Sequence, residues 1–201
     1  MTKGERRKQD LLKIAYEMFS QIGYENTSVD MIIEKAGIAK GTYYYYFESK
    51  EQTLEEVIGM ILDTETEKAL ELKKADMPAP QKLVAIIACF KPDVSESSMV
   101  DALNKPENLL MHERFNEKLM DRIVPIISDV TYQGIEEGLF ACEDVPERVR
   151  MVVILANKVF DEKGYTDKDV KVFIDIVEKI LCAKPGTMAF LKEAIKTDEV
   201  K

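Results

Sequence analysis

Histidine occurs once in this chain, at His112, and tryptophan not at all. With a single imidazole and no G-x-S-x-G, H-E-x-x-H or glycine-rich phosphate loop, the common nucleophilic, zinc and nucleotide chemistries lack their parts. Paired carboxylates such as Glu136 and Glu137 fall on amphipathic helices, where they read as solvated faces. The three cysteines, Cys89, Cys142 and Cys182, are far apart and form no C-x-x-C pair, so neither a disulfide framework nor a zinc site is expected. Most of these thiols should be buried and inert. The chain is therefore read as a non-enzyme without metal or cofactor. No run of about 18 uncharged apolar residues occurs, and the polar N-terminus MTKGERRKQD has no apolar stretch behind it. A membrane span and a signal peptide are thus not expected, and the protein is read as cytoplasmic. Only 9 glycines and 7 prolines punctuate the 201 residues, and long runs of Ala, Leu, Ile, Glu and Lys predict an all-α fold.

Against these absences stands one dense stretch, TSVDMIIEKAGIAKGTYYYYFESK, from Thr27 to Lys50. Thr27 and Asp30 have the spacing of a capping box, Val29, Ile32, Ile33 and Ala36 share one face, and Gly37 supplies a left-handed stop. A second short helix, from Lys40 to Phe47, can bury Tyr43 and Phe47 at a spacing of i, i+4. Lys40, Gly41, Thr42, Tyr44, Tyr45 and Tyr46 are left largely outward. A helix, a tight turn and a second helix make the plan of a helix-turn-helix. Four consecutive tyrosines are costly on a helix unless something uses them, because the rings lose rotamer freedom and expose apolar area. A phenol donates a hydrogen bond to a phosphate oxygen without carrying charge. The competing reading is a core helix with solvated tyrosine tips.

The run GIAKGTYYYYFESK, preceded by TSVDMI and by a helix ending in FSQIGY, resembles the DNA-binding domain of the TetR-type (TetR/AcrR) transcriptional regulators. The resemblance implies an N-terminal three-helix helix-turn-helix DNA-binding head, residues 1–50, and a C-terminal helical ligand-binding and dimerisation body, residues 51–201. It further implies a homodimeric repressor on an inverted-repeat operator of double-stranded DNA, released by a small-molecule effector. On the matching positions the expected DNA contacts are Thr27, Ser28, Lys40, Gly41, Thr42, Tyr44, Tyr45 and Lys50. Of these, Lys40 can reach guanine O6 and N7, while Thr42, Tyr44, Tyr45 and Lys50 hold phosphates and Gly41 allows close backbone approach. Three positions depart from the family pattern. Ala39 stands where a Ser usually caps the recognition helix, Ile33 replaces a small Ala, and Tyr43 replaces a Leu and needs a partner for its hydroxyl.

The net charge of −9 is unevenly spread. Residues 1–50 carry 8 Lys or Arg against 7 Asp or Glu, and residues 51–201 carry 20 against 30. Attraction of the head to phosphate therefore depends on placement of a few cations, Arg6, Arg7, Lys8, Lys40 and Lys50.

Along the chain, a first helix is expected from Glu5 to Ile22. Ser49 and Gln52 open a long helix towards Leu72, the link between head and body. The MPAP run at 77–80 breaks the chain before a helix from Gln81 to Phe90, and residues 91–107 read as two breaks around one small helix. Asn108 to Gly138 is one long helix, or two meeting at Pro125. Asp144 with Glu147, and Thr166 with Asp169, have capping-box spacing ahead of two helices that are apolar on nearly every side. Such helices need cover on more than one side. The expected dimer interface is Val152, Leu155, Val159, Phe173, Ile176, Val177 and Ile180. A final short helix should hold Met188, Leu191 and Ile195. Candidates for an effector cavity are Cys89, Phe90, Met111, His112, Phe115 and Tyr132, which combine apolar surface with a few polar tips. The alternative function class is a purely structural helical dimer that uses the N-terminal motif for packing and binds no palindromic duplex.

Overall fold

A computed structural model of the chain describes residues 2–91, 94–160 and 165–195. It is all-α, with no strand among the described residues. The helices are α1 (Lys3–Ile22), α2 (Val29–Ala36), α3 (Lys40–Tyr46), α4 (Lys50–Lys74), α5 (Ala79–Cys89), α6 (Ser97–Leu103), α7 (Leu109–Glu136), α8 (Val145–Phe160), α9 (Asp167–Ile180) and α10 (Leu191–Ile195). Pro125 lies inside the single helix α7. The chain packs as two compact units, Met1–Thr64 with Pro92–Lys118, and Glu65–Lys91 with Leu119–Lys201.

The first unit is built on α1. A capping box between Thr2 and Glu5 starts the helix earlier than its apolar stripe suggests, and Gly23, at φ 88°, ends it. Leu11, Leu12, Ala15, Met18 and Phe19 then form a core with Ile32, Tyr43, Phe47, Leu54 and Val57. Met99, Ala102, Leu103 and Met111 belong to the same cluster, so α6 and the start of α7 pack with the head. Ser98 secures that docking: its Oγ donates to Phe19 O at 3.0 Å and accepts from Tyr24 N–H at 3.4 Å.

In the second unit, Leu83, Ile86, Ile123, Ile126, Val130, Val145, Val149, Phe173, Val177 and Leu181 form the core. Phe140 lies so close to Gly134 of α7 that an added Cβ would sit 2.4 Å from its ring. Lys82 is buried, donating to Lys73 O at 2.9 Å and Gln133 Oε1 at 2.8 Å. Glu137 accepts from Ala79 N–H at 3.1 Å and from Gln133 Nε2 at 2.6 Å, so a remote carboxylate supplies the cap that the start of α5 lacks. Thr166 and Asp169 form the expected capping box, but Asp144 adopts φ 52° in place of the extended backbone of a cap. The expectation of buried thiols holds only for Cys142; Cys89 is half-buried and Cys182 is exposed.

Candidate nucleic-acid interface

Helix α2 is capped by Ser28, whose side chain accepts from Met31 N–H at 3.2 Å. This corrects the expectation for Thr27. Thr27 is 1% exposed and its hydroxyl donates to Gly23 O at 2.9 Å, so it is satisfied within the fold and has no surface for DNA. Ser28 is exposed one residue later. Gly37, at φ 60°, then terminates α2 with its N–H on Ile33 O and Glu34 O. This conformation costs a Cβ-bearing residue about 1–2 kcal/mol.

Helix α3 begins at Ala39 with no side-chain cap, as the departure from the family pattern requires. Its interior is decided by Tyr43, which is fully buried and packs its ring 5.5 Å from that of Phe47. The Tyr43 hydroxyl lies 2.5 Å from Thr53 Oγ1. Thr53 already donates its one hydroxyl proton to Ser49 O at 3.0 Å, so Tyr43 is the donor to Thr53. Burial pushes the Tyr43 phenol above its ordinary range. With Tyr43 inward, Tyr44 and Tyr45 are 47% and 80% exposed on the opposite side. Gly41 is exposed and an added Cβ would meet nothing within 4 Å, while Thr42 is half-buried.

The cations divide into two groups. Lys8 pairs with Glu56 at 2.5 Å and lies over the Phe47 ring, while Lys35 pairs with Glu17 at 3.0 Å. Lys50, expected on a phosphate, instead turns inward. Its Nζ donates to Tyr24 O at 3.0 Å and Thr27 O at 3.1 Å, and stands 4.1 Å from the centre of the Tyr24 ring. It therefore stitches the α1–α2 turn to the start of α4. On the outer side, Lys40 pairs with Asp30 at 3.1 Å, and that hydrogen bond and charge hold the ammonium above the usual lysine range. Both partners are well exposed, so the pair is readily exchanged for another anion. Lys3, Arg6 and Arg7 line a shallow groove with Gly4, Asp10 and Tyr46. Among the described residues Arg6 and Arg7 make no ion pair. Tyr46, expected largely outward, is half-buried in this groove, and Lys3 was not singled out in the sequence, because only the packing of α1 against α3 brings the two together.

The remaining expected sites distribute as follows. Cys89, Phe90 and Tyr132 belong to the second unit, and Met111, His112 and Phe115 to the first. Met111 is spent on the first unit's core. His112 Nε2 lies 3.3 Å from the Asn116 amide nitrogen one turn on, and Tyr132 is half exposed on α7. On α8 and α9, Phe173 and Val177 are buried in their own unit, which corrects their place in the dimer interface. Val152, Leu155, Val159, Ile176 and Ile180 are half-buried. The large apolar side chains most exposed there are Met151, Ile154 and Val172, at 62%, 52% and 49%.

Comparison with known proteins bears on the whole chain. The family model described as bacterial regulatory proteins, tetR family, matches residues 11–57, and one described as tetracyclin repressor-like, C-terminal domain, matches residues 91–178. The HTH-type transcriptional regulator YhgD of Bacillus subtilis is 24% identical over 178 residues, 86% of this chain and 93% of that one. The HTH-type transcriptional repressor KstR2 of Rhodococcus jostii is 28% identical over 138 residues, 67% of this chain and 68% of that one. The fold matches that of RolR, solved with its ligand resorcinol, with a TM-score of 0.66 at 19% identity, over 99% of this chain and 97% of that one.

Proposed function

The chain belongs to the tetR family of bacterial transcriptional regulators, and from that premise we propose that it is a repressor that binds an inverted-repeat operator as a homodimer and is released by a small molecule. The observation that carries the DNA reading is the outward face of α3. Lys40, Gly41, Tyr44 and Tyr45 are all exposed there, with Ser28 at the start of α2 beside the same turn. Lys40 exchanges Asp30 for guanine O6 and N7, and the phenols of Tyr44 and Tyr45 donate to phosphates. Arg6 and Arg7 add charge along the same unit. A core helix has no use for a tyrosine as exposed as Tyr45, so the packing-only alternative leaves this face unexplained.

Residues 1–50 are the DNA-binding part in this reading, and residues 51–201 dimerise and hold the effector. Two-fold symmetry presents two copies of α3, and so requires an operator of two inverted half-sites. A dimer face is supported by Met151, Ile154 and Val172, apolar side chains left in water on α8 and α9. The effector acts by favouring a spacing of the heads that the operator does not fit, since a ligand indifferent to the two arrangements shifts nothing. Helix α4, which begins beside the recognition helix and continues past Thr64 into the second unit, is the element through which that bias reaches the head. Coupling of this kind is worth about 1–3 kcal/mol, or roughly 5- to 150-fold in operator affinity.

Selection of bound duplexes from a random pool, repeated at two salt concentrations, tests the reading. Enrichment of an inverted repeat is expected. Lys40→Ala should relax preference at one base pair of each half-site, whereas Tyr44→Phe should weaken all sequences alike. A pool that stays random at both salts refutes DNA recognition; equal loss on every sequence for Lys40→Ala removes that residue from base reading.

A further inference from the structure

We propose that Cys142 and Cys182 are a dithiol pair that closes to an intrachain disulfide when the protein meets a hydroperoxide. The two residues are forty positions apart, yet the backbone on either side of them is laced together. The Ala141 N–H donates to Leu181 O at 3.3 Å, so the residues preceding the two cysteines are bonded to each other. Arg148 spans the same two segments. Its Nε donates to Glu143 O at 2.7 Å, its Nη1 donates to Ile180 O, and Nη1 lies 3.9 Å from Cys182 Sγ.

The backbone at Cys182 is a second, independent observation. Helix α9 ends in a pair of bonds, Ala183 N–H to Glu178 O at 2.8 Å and Cys182 N–H to Lys179 O at 3.3 Å, the Schellman pattern. Its left-handed position, φ 52°, is occupied by Cys182. Glycine is the usual residue there because it alone avoids the Cβ clash. A thiol stands at a site where the helix end by itself calls for glycine. The two sulfurs also differ in access, since Cys182 is exposed and Cys142 is 8% exposed. Burial pushes the Cys142 thiol up, while the Arg148 charge opposes that shift and the neighbouring Cys182 adds to it.

This asymmetry assigns the order of events. The exposed sulfur of Cys182, as thiolate, attacks the hydroperoxide; an S–O bond forms, the O–O bond breaks, and the leaving oxygen takes up a proton as water or an alcohol. The sulfur of Cys142 then attacks the resulting sulfenic acid. An S–S bond forms, the S–O bond breaks, and hydroxide leaves with the Cys142 proton as water. Two thiols lose two electrons and the hydroperoxide gains them. The product ties the α7–α8 connection to the end of α9.

The test is to treat the reduced full-length protein with hydrogen peroxide, trap remaining thiols with a maleimide, and map the peptides without reduction. The expected result is loss of two of the three thiols as a Cys142–Cys182 linked peptide within a single chain, restored by dithiothreitol, with Cys89 still trapped. Cys182→Gly, which relieves the left-handed backbone and should fold at least as well, should keep both remaining thiols under the same treatment. In Cys142→Ala the resolving sulfur is gone, and Cys182 should run on to the sulfinic acid. The proposal is overturned if Cys182 of the unaltered chain goes to sulfinic acid or bridges to a second chain while Cys142 stays a thiol, or if peroxide leaves all three thiols intact.

Discussion

Lys50→Met separates a cation that shapes the head from one that merely touches DNA. The side chain keeps its length but loses two charge-assisted bonds, to Tyr24 O at 3.0 Å and Thr27 O at 3.1 Å, and its place over the Tyr24 ring. Bonds to a charged donor are worth about 1.5–3 kcal/mol, and an exposed cation–π contact about 0.5–1. Lys50 itself is only half-buried, so the lower end of each range applies, and the two bonds with the ring contact sum to a loss of about 3.5 kcal/mol. For a chain of this length each kcal/mol is about 2–4 °C of melting temperature, giving a fall of about 7–14 °C. Operator affinity should drop because the α1–α2 turn, and Ser28 with it, is no longer pinned to α4. The slope of log affinity against log salt should stay as it was. A lysine bound to a phosphate behaves in the opposite way: its loss leaves the melting temperature alone and lowers the slope by about one counterion. Thermal unfolding and titration of a selected duplex at several salt concentrations measure both quantities. An unchanged melting temperature with a slope reduced by about one would refute the positioning role.

Two helix glycines should respond to alanine in opposite directions. Gly59 of α4 has nothing within 4 Å of an added Cβ, so Gly59→Ala should stabilise by about 0.4–1 kcal/mol. Gly134→Ala drives a Cβ to 2.4 Å from the buried Phe140 ring and should destabilise by about 1–3 kcal/mol; urea midpoints of the two variants check the pair, and stabilisation by both would show that Phe140 moves freely. At the proposed dimer face, Ile154→Asp should yield a folded monomer with weakened operator binding. Phe173→Glu should instead unfold the second unit, because its ring is buried and packs edge-to-face on Phe160 with the centroids 5.0 Å apart. Sedimentation and circular dichroism distinguish these outcomes, and an Ile154→Asp protein that stays dimeric rejects this face.

Most of the helices were legible in the residues themselves, because apolar spacing, glycine stops and capping pairs act within a few positions of one another. The stop at Gly37, the uncapped start at Ala39 and the pairing of Tyr43 with Phe47 are of this kind, as is the outward face of α3. The motif at residues 27–50 carries the family for the same reason: a turn and two short helices need particular residues in a fixed order. Where two neighbours offer equivalent chemistry, sequence spacing does not choose between them. Thr27 and Ser28 can each cap α2, and the Gly23 carbonyl, held in place by the end of α1, takes the Thr27 hydroxyl and leaves the cap to Ser28. Helices apolar all round hide which side is the core, so Phe173 reads like Val172 until the second unit closes over one of them. Lys8 and Lys50 count as two head cations in the sequence; in the fold, Glu56 takes the first and two backbone carbonyls take the second. The docking of α6 on α1 and the bond from Ala141 N–H to Leu181 O join residues tens of positions apart. Nothing local encodes such contacts: they arise when the surfaces that each helix must bury are satisfied together, and only the tertiary structure decides them.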